Sequence, residues 1–159
     1  SAMLPMAQQA AEKLGVEPRY LVAQAALETG WGKNMLRDAQ GGNTYNLFGI
    51  KSPGWKGEST QATTSEFVKG AKVSEKADFR QYDSFAHSFN DYVNFIQSNS
   101  RYQEALKVAD NPEQYVRELQ RAGYATDPQY AQKISRIAQQ MQTIQQTAHA
   151  STPRIAERG

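Results

Sequence analysis

The chain contains no cysteine and two histidines, His87 and His149. Any chemistry must therefore rest on carboxylates, hydroxyls, amides and aromatic rings. One carboxylate is oddly placed. In "LVAQAALETGWG" (21–32), Glu28 follows Leu21 and Ala25 at steps of four and three, so an acid shares a helical face with core residues. It also falls in the last turn, where the helix dipole opposes negative charge. Desolvation and the dipole both push a carboxyl pKa upward, toward the range in which a protonated acid can serve a leaving group at neutral pH. The Gly30-Trp31-Gly32 break then ends the helix and would open a cleft beside the acid. Plainer readings compete: a last-turn Glu is more commonly solvated or capping, and a Trp between glycines is more commonly a core plug than a sugar platform.

The elements that must position this acid are mostly helical. The chain has 159 residues, 39% apolar and 21% charged, enough for one domain with a real core. Pro5 and Gly15 bracket a first helix, 5–14, and Pro18 and Gly30 bracket the second, 18–29. Leu21, Val22, Ala25, Ala26 and Leu27 surround most of the second helix, which marks it as central. Residues 37–60 are rich in Gly, Asn, Ser and Pro and read as loop. The β-leaning runs 60–69 and 75–83, parted by Gly70 and a polar turn, read as a hairpin. Helical spacing returns at Phe85, Phe89, Tyr92 and Ile96, with Asp83 or Ser84 as N-cap. A short helix follows at 101–109, then one from Asn111-Pro112 to Gly123, and a last one from Asp127-Pro128 that carries Tyr130, Ile134, Ile137 and Met141 on one face.

Ser1-Ala2-Met3 reads as an expression remnant, residues 4–146 as the domain and 147–159 as a mobile tail. Net charge is +2 with basic and acidic residues interspersed, so no nucleic-acid stripe stands out. No apolar run approaches the roughly eighteen residues of a membrane span, and the start lacks the basic and apolar regions of a signal peptide. No metal site and no cofactor is expected.

Four segments occur in order: "ALETGWGKN" (26–34), "YNLFGIK" (45–51), "FRQYDSFAHSFNDY" (79–92) and "GYATDPQYAQKI" (123–134). Together they resemble the glucosaminidase domains of glycoside hydrolase family 73, over roughly residues 4–144. The resemblance implies a mainly α, lysozyme-like α+β fold, with a helical bundle and one β-hairpin lobe flanking a glycan cleft. It implies hydrolysis of the β-1,4 bond between N-acetylglucosamine and N-acetylmuramic acid in peptidoglycan, with Glu28 as general acid. It is to flagellum-specific members in particular, which implies a bacterial periplasmic setting, and flagellar rod proteins as partners through a region outside this chain.

Site by site, the resemblance places Asn46 where it could bond an acetamido group, and Phe48 under a sugar or under Glu28, with ordinary core as an equal reading for Phe48. Tyr124 resembles a tyrosine facing the catalytic acid, able to orient Glu28 or stabilise the cleaving sugar. Tyr130 reads as core-facing, with lining the cleft as the lesser alternative. Asp127 and Pro128 read as a helix start. The second carboxylate is Glu66 in "TTSEFVKG", a general base if its strand face meets the cleft and an exposed strand residue otherwise. Asp91 is a remoter candidate, placed on the polar side of its helix. A second carboxylate at about 5–5.5 Å from the first would suit retention and one at about 6.5–9.5 Å inversion, while a substrate acetamido nucleophile would need none. Two alternatives stay open: a lytic transglycosylase on the same polymer, and a module that grips peptidoglycan without cutting it.

Overall fold

A computed structural model of the chain describes residues 3–143. Six helices and one hairpin are present among them. Helix α1 (Met3–Leu14) leads into α2 (Pro18–Thr29), whose bounds are those expected from Pro18 and Gly30. Met3 is the first residue of α1, which begins two residues before the expected Pro5. Gly30 closes α2 in a left-handed conformation, its N–H turned back to the carbonyls of Ala26 and Leu27. Tyr20, Leu21, Ala23, Gln24, Ala25 and Ala26 are all buried, so α2 is the central helix. The tail assigned to 147–159 lies outside the described residues.

The hairpin pairs β1 (Ser59–Val68) with β2 (Ala71–Arg80) in antiparallel register from Ser59↔Arg80 to Val68↔Ala71. The polar turn expected before residue 75 is instead part of β2. Lys69 and Gly70, with φ of 52° and 82°, make a two-residue reversal, and such a turn lets pairing begin at once. Helix α3 (Phe85–Ser98) starts at Ser84, whose hydroxyl accepts from the His87 N–H at 3.1 Å. A 3-10 turn (Ser100–Tyr102) leads to α4 (Gln103–Lys107), and α5 (Pro112–Arg121) is capped by Asn111. Residues 130–143 form α6.

The core gathers Ala7, Ala11, Leu21, Phe48, Tyr92, Ile96 and Ile134 around α2. Phe48 stacks on Tyr92 at 4.3 Å and meets Phe89 edge-on, and each such side chain contributes about 1.5–3 kcal/mol on full burial. The loop before the hairpin is folded on itself and pinned to the end of β2 by Asn46. Its amide nitrogen donates to the carbonyls of Ile50 and Arg80, and its oxygen accepts from the Ile50 N–H. Irregular backbone thus becomes a fixed wall without regular structure.

Candidate active site

A cleft of about 390 Å³ opens between the hairpin and the helices, lined among others by Glu28 of α2, Gly49 and Lys51 of the pinned loop, Glu66 of β1, Thr126 of the segment before α6, and Tyr130 of α6. The apolar stripe of α2 therefore ends in an acid facing this space. Leu21 and Ala25 are buried, whereas Glu28 as a whole residue is exposed along the opening. Protein atoms nonetheless crowd its carboxyl, and that crowding governs its ionisation. Burial first, then the negative charge of Glu66, pushes the carboxyl up to about 7, against the pull of the Lys51 ammonium. Gly49 makes the close approach possible, because its backbone meets the carboxyl where a side chain would collide.

Glu66 is held in the opposite sense. Alternation along β1 turns Thr64 and Glu66 to the half-buried face. Partial burial alone would raise its pKa. Hydrogen bonds from Lys51 Nζ to Oε1 (2.8 Å) and from Thr126 Oγ1 to Oε2 (2.6 Å), with the Lys51 charge, outweigh burial and hold it below the ordinary carboxylate value. Thr126 also accepts from the Phe67 N–H at 2.9 Å, so one hydroxyl ties the hairpin to the segment before α6. Two carboxyls in one cleft thus have their pKa values driven apart, one toward a proton donor and one toward a stable anion. The polar side chains that face this space are carboxyls, hydroxyls and ammonium groups. Among the described residues no group of three or more His, Cys, Asp or Glu side chains is arranged to hold a metal ion.

Residues 4–143 match the glucosaminidase family, described as mannosyl-glycoprotein endo-beta-N-acetylglucosaminidase. The chain belongs to that family. It is 60% identical over 154 residues to the peptidoglycan hydrolase FlgJ of Pseudomonas aeruginosa, covering 96% of this chain and 38% of that protein. The chain thus spans well under half the length of that relative. A crystal structure of a peptidoglycan hydrolase mutant from Sphingomonas sp. A1 matches with a TM-score of 0.79 at 43% identity, covering 86% of this chain and 88% of that one. The glycoside hydrolase domain of Salmonella typhimurium FlgJ matches with a TM-score of 0.73 at 36% identity, over 99% of this chain and 94% of that one. The mainly α, lysozyme-like architecture with one hairpin lobe is therefore the fold of this glucosaminidase domain.

Within this domain the residues singled out from sequence fall into three groups. Glu28, Glu66, Tyr124 and Tyr130 meet at the cleft. Tyr130 is both core and lining: it is 2% exposed and accepts from Gln24 Nε2 at 3.0 Å. Tyr124 lines the cleft, but its hydroxyl donates to the Phe48 carbonyl at 2.7 Å rather than to Glu28. Asn46 and Phe48 do not reach the cleft. Asn46 is 3% exposed with its amide spent on backbone groups, so the acetamido role is corrected to a structural one. Phe48 is ordinary core, and only its carbonyl serves the site.

Trp31 is no core plug. It is 58% exposed, outside the lining of the cleft, in a run where Gly30, Trp31 and Gly32 all have positive φ. Asp91, expected on a polar face, is buried instead. It accepts from Arg80 Nη1 at 2.9 Å and from the Tyr82 hydroxyl at 2.6 Å, a structural partner rather than a base. Sequence reasoning missed Gly49, Lys51, Thr126 and Gln24. The first three lie inside the quoted motifs, and Gln24 is a polar residue on a helix that otherwise reads as apolar nearly all round.

Proposed function

We propose that the chain hydrolyses the β-1,4 bond between N-acetylglucosamine and N-acetylmuramic acid in peptidoglycan, with Glu28 as general acid and Glu66 as general base. The observation that carries this reading is a carboxyl held near pKa 7 in a cleft that also contains a second, firmly ionised carboxylate. Glu28 gives its proton to the glycosidic oxygen as the bond to the anomeric carbon breaks. Glu66 takes a proton from the water that attacks that carbon. The family description and the peptidoglycan hydrolases among the relatives support the substrate.

The peptidoglycan hydrolase relative supports a setting outside the cytoplasm, and the resemblance to flagellum-specific members supports the bacterial periplasm. By the same resemblance, cutting the wall there would let the flagellar rod cross, with rod proteins engaged by a region outside these residues. Among the described residues no helix is long and apolar enough to cross a membrane. Tyr124 and Tyr130 would border the bound sugar. Trp31, exposed three positions beyond Glu28, would offer a stacking face to a strand leaving the cleft.

One observation favours a second reading. Both Glu66 oxygens already accept hydrogen bonds, so a route using Glu28 alone, as in a lytic transglycosylase, would need no rearrangement. Mass spectrometry of digested peptidoglycan separates the two. Hydrolysis adds one water per cut, and transglycosylation leaves an anhydro end. Glu28→Gln is expected to lower muropeptide release by about 100- to 10,000-fold, the usual worth of general acid catalysis. Release at the wild-type rate would refute the role of Glu28.

A further inference from the structure

Two tyrosines border the cleft, and their protons are committed differently. Tyr124 donates to the Phe48 carbonyl at 2.7 Å. Tyr130 accepts from Gln24 Nε2 at 3.0 Å, and among the described residues no acceptor takes its own hydroxyl proton. It is 2% exposed, and the residue lines the cleft.

The network behind Tyr130 has a direction. The Tyr92 hydroxyl donates to Gln24 Oε1 at 2.6 Å and lies 2.7 Å from the Tyr115 hydroxyl. Its single proton is spent on Gln24, so Tyr115 must be the donor to Tyr92. Donation therefore runs from Tyr115 to Tyr92 to Gln24 to Tyr130, always toward the cleft. Turning the Gln24 amide over would reverse the chain and strand the Tyr115 proton. Tyr115 is fully buried, and an O–H without an acceptor there is costly. The outward direction leaves the last donor where an acceptor can arrive. Successive donation also polarises each member and strengthens that last hydroxyl.

We infer that Tyr130 is a positioning residue whose hydroxyl donates to the Glu28 carboxylate formed on proton transfer, and that Gln24 fixes the direction of this donation. The inference rests on the general-acid reading of Glu28. Both side chains line the same cleft, and after burial the Glu28 charge is the largest influence raising the Tyr130 pKa. A phenol so raised keeps its proton to donate. The bond is absent while Glu28 carries its own proton and forms as the carboxylate develops. Tyr130 transfers nothing: the Glu28 proton goes to the glycosidic oxygen, and the Tyr130 proton stays on its oxygen. The other ionisable groups facing Glu28 are Glu66 on β1, Lys51 on the loop and Tyr124 before α6. Lys72 and the Asp127–Lys133 pair lie along the same cleft. None of them hydrogen-bonds to Glu28 among the described residues.

The test is a 13C NMR titration of the Glu28 carboxyl in the wild type, Tyr130→Phe, Gln24→Met and the double variant, beside pH profiles of kcat/KM. Losing one donor to a carboxylate should raise the Glu28 titration by about one pH unit in Tyr130→Phe, and the alkaline limb of activity should move up with it. Gln24→Met should shift it the same way by less, and should add nothing once the hydroxyl is gone. A purely structural role lowers activity or stability without moving the titration. An unchanged Glu28 titration in Tyr130→Phe overturns the inference, and so does an equal Gln24→Met shift with and without the hydroxyl. Should a variant fail to fold, the wild type decides: above neutral pH a slowly exchanging hydroxyl proton should show contacts to the Glu28 methylenes, and its absence is equally fatal. Activity surviving Glu28→Gln would remove the general-acid reading, while the titration result would stand separately.

Discussion

The backbone of Gly49 stands against the Glu28 carboxyl so closely that a Cβ added there would lie 2.6 Å from Oε2 and 3.1 Å from Cδ. The position also has φ of 65°, which suits glycine and strains other residues. Gly49→Ala should therefore move the acid as well as strain the loop. A displacement of about 1 Å at a reacting group can cost about 100-fold in rate. Turnover is expected to fall by about that factor while far-ultraviolet circular dichroism stays native. Wild-type turnover in this variant would show that Glu28 has another place to sit.

The two carboxyls should appear in the pH profile. Glu28 must be protonated to act, so kcat/KM is expected to fall as pH rises through about 7. Glu66 acts ionised and its pKa is lowered, so the acid limb should lie below the ordinary carboxylate range. Stability follows the same shift. A folded-state pKa raised above its unfolded value gives a contribution fully present below the unfolded pKa and lost as pH rises through the folded one, here between 4.5 and about 7. Glu28→Gln removes that loss. Discounted for water in the cleft, the gain is about 1 kcal/mol, or about 2–4 °C in Tm. Thermal melts at pH 5 and pH 8 check it, and a gain equal at both values would contradict the shift.

Thr126 closes the site by bonding Glu66 and Phe67 at once. Thr126→Val keeps the shape and removes both bonds. The Glu66 pKa should then rise, carrying the acid limb of activity upward. The Phe67 amide should exchange about 10-fold faster, the factor that corresponds to one ordinary hydrogen bond. Hydrogen-exchange mass spectrometry of the hairpin measures this directly, and unchanged exchange would mean that something else holds β1 down.

What could be read from sequence was what is local. Glu28 declared itself because its neighbours on the helix face lie three and seven residues away, and the helix starts at Asp83-Ser84 and Asn111-Pro112 were legible for the same reason, with Ser84 and Asn111 supplying the caps. The partners of Glu66 lie 15 and 60 residues from it, and no periodicity links them. Asn46 and Asp91 were misjudged because a polar side chain looks alike in sequence whether it meets substrate or satisfies buried backbone. For Trp31 only the plainer reading, a core plug suggested by its large apolar ring, fails, because the left-handed run from Gly30 to Gly32 carries it outward. The tyrosine network was invisible for a related reason. Tyr92 and Tyr115 read as apolar periodic positions, and nothing in their spacing says that their hydroxyls meet Gln24.

The buried ion pair beneath the hairpin supplies a last test, because it links stability to the cleft. Arg80 donates to Asp91 through Nη1, to the Lys51 carbonyl through Nε at 2.9 Å, and to the Pro53 carbonyl through Nη2 at 2.8 Å. Both partners are close to fully buried, with side-chain exposures of 7% and 10%. Asp91→Asn leaves the guanidinium charge without its counterion, which should cost about 3–5 kcal/mol in urea denaturation. By contrast, breaking the exposed Lys107–Glu104 pair should cost less than about 1 kcal/mol. Arg80 also fixes the backbone of Lys51, whose ammonium holds Glu66. Turnover of the folded Asp91→Asn protein should therefore fall well below the wild type even at temperatures where it is fully native. A variant that loses stability but keeps its turnover would show that Lys51 is positioned without Arg80.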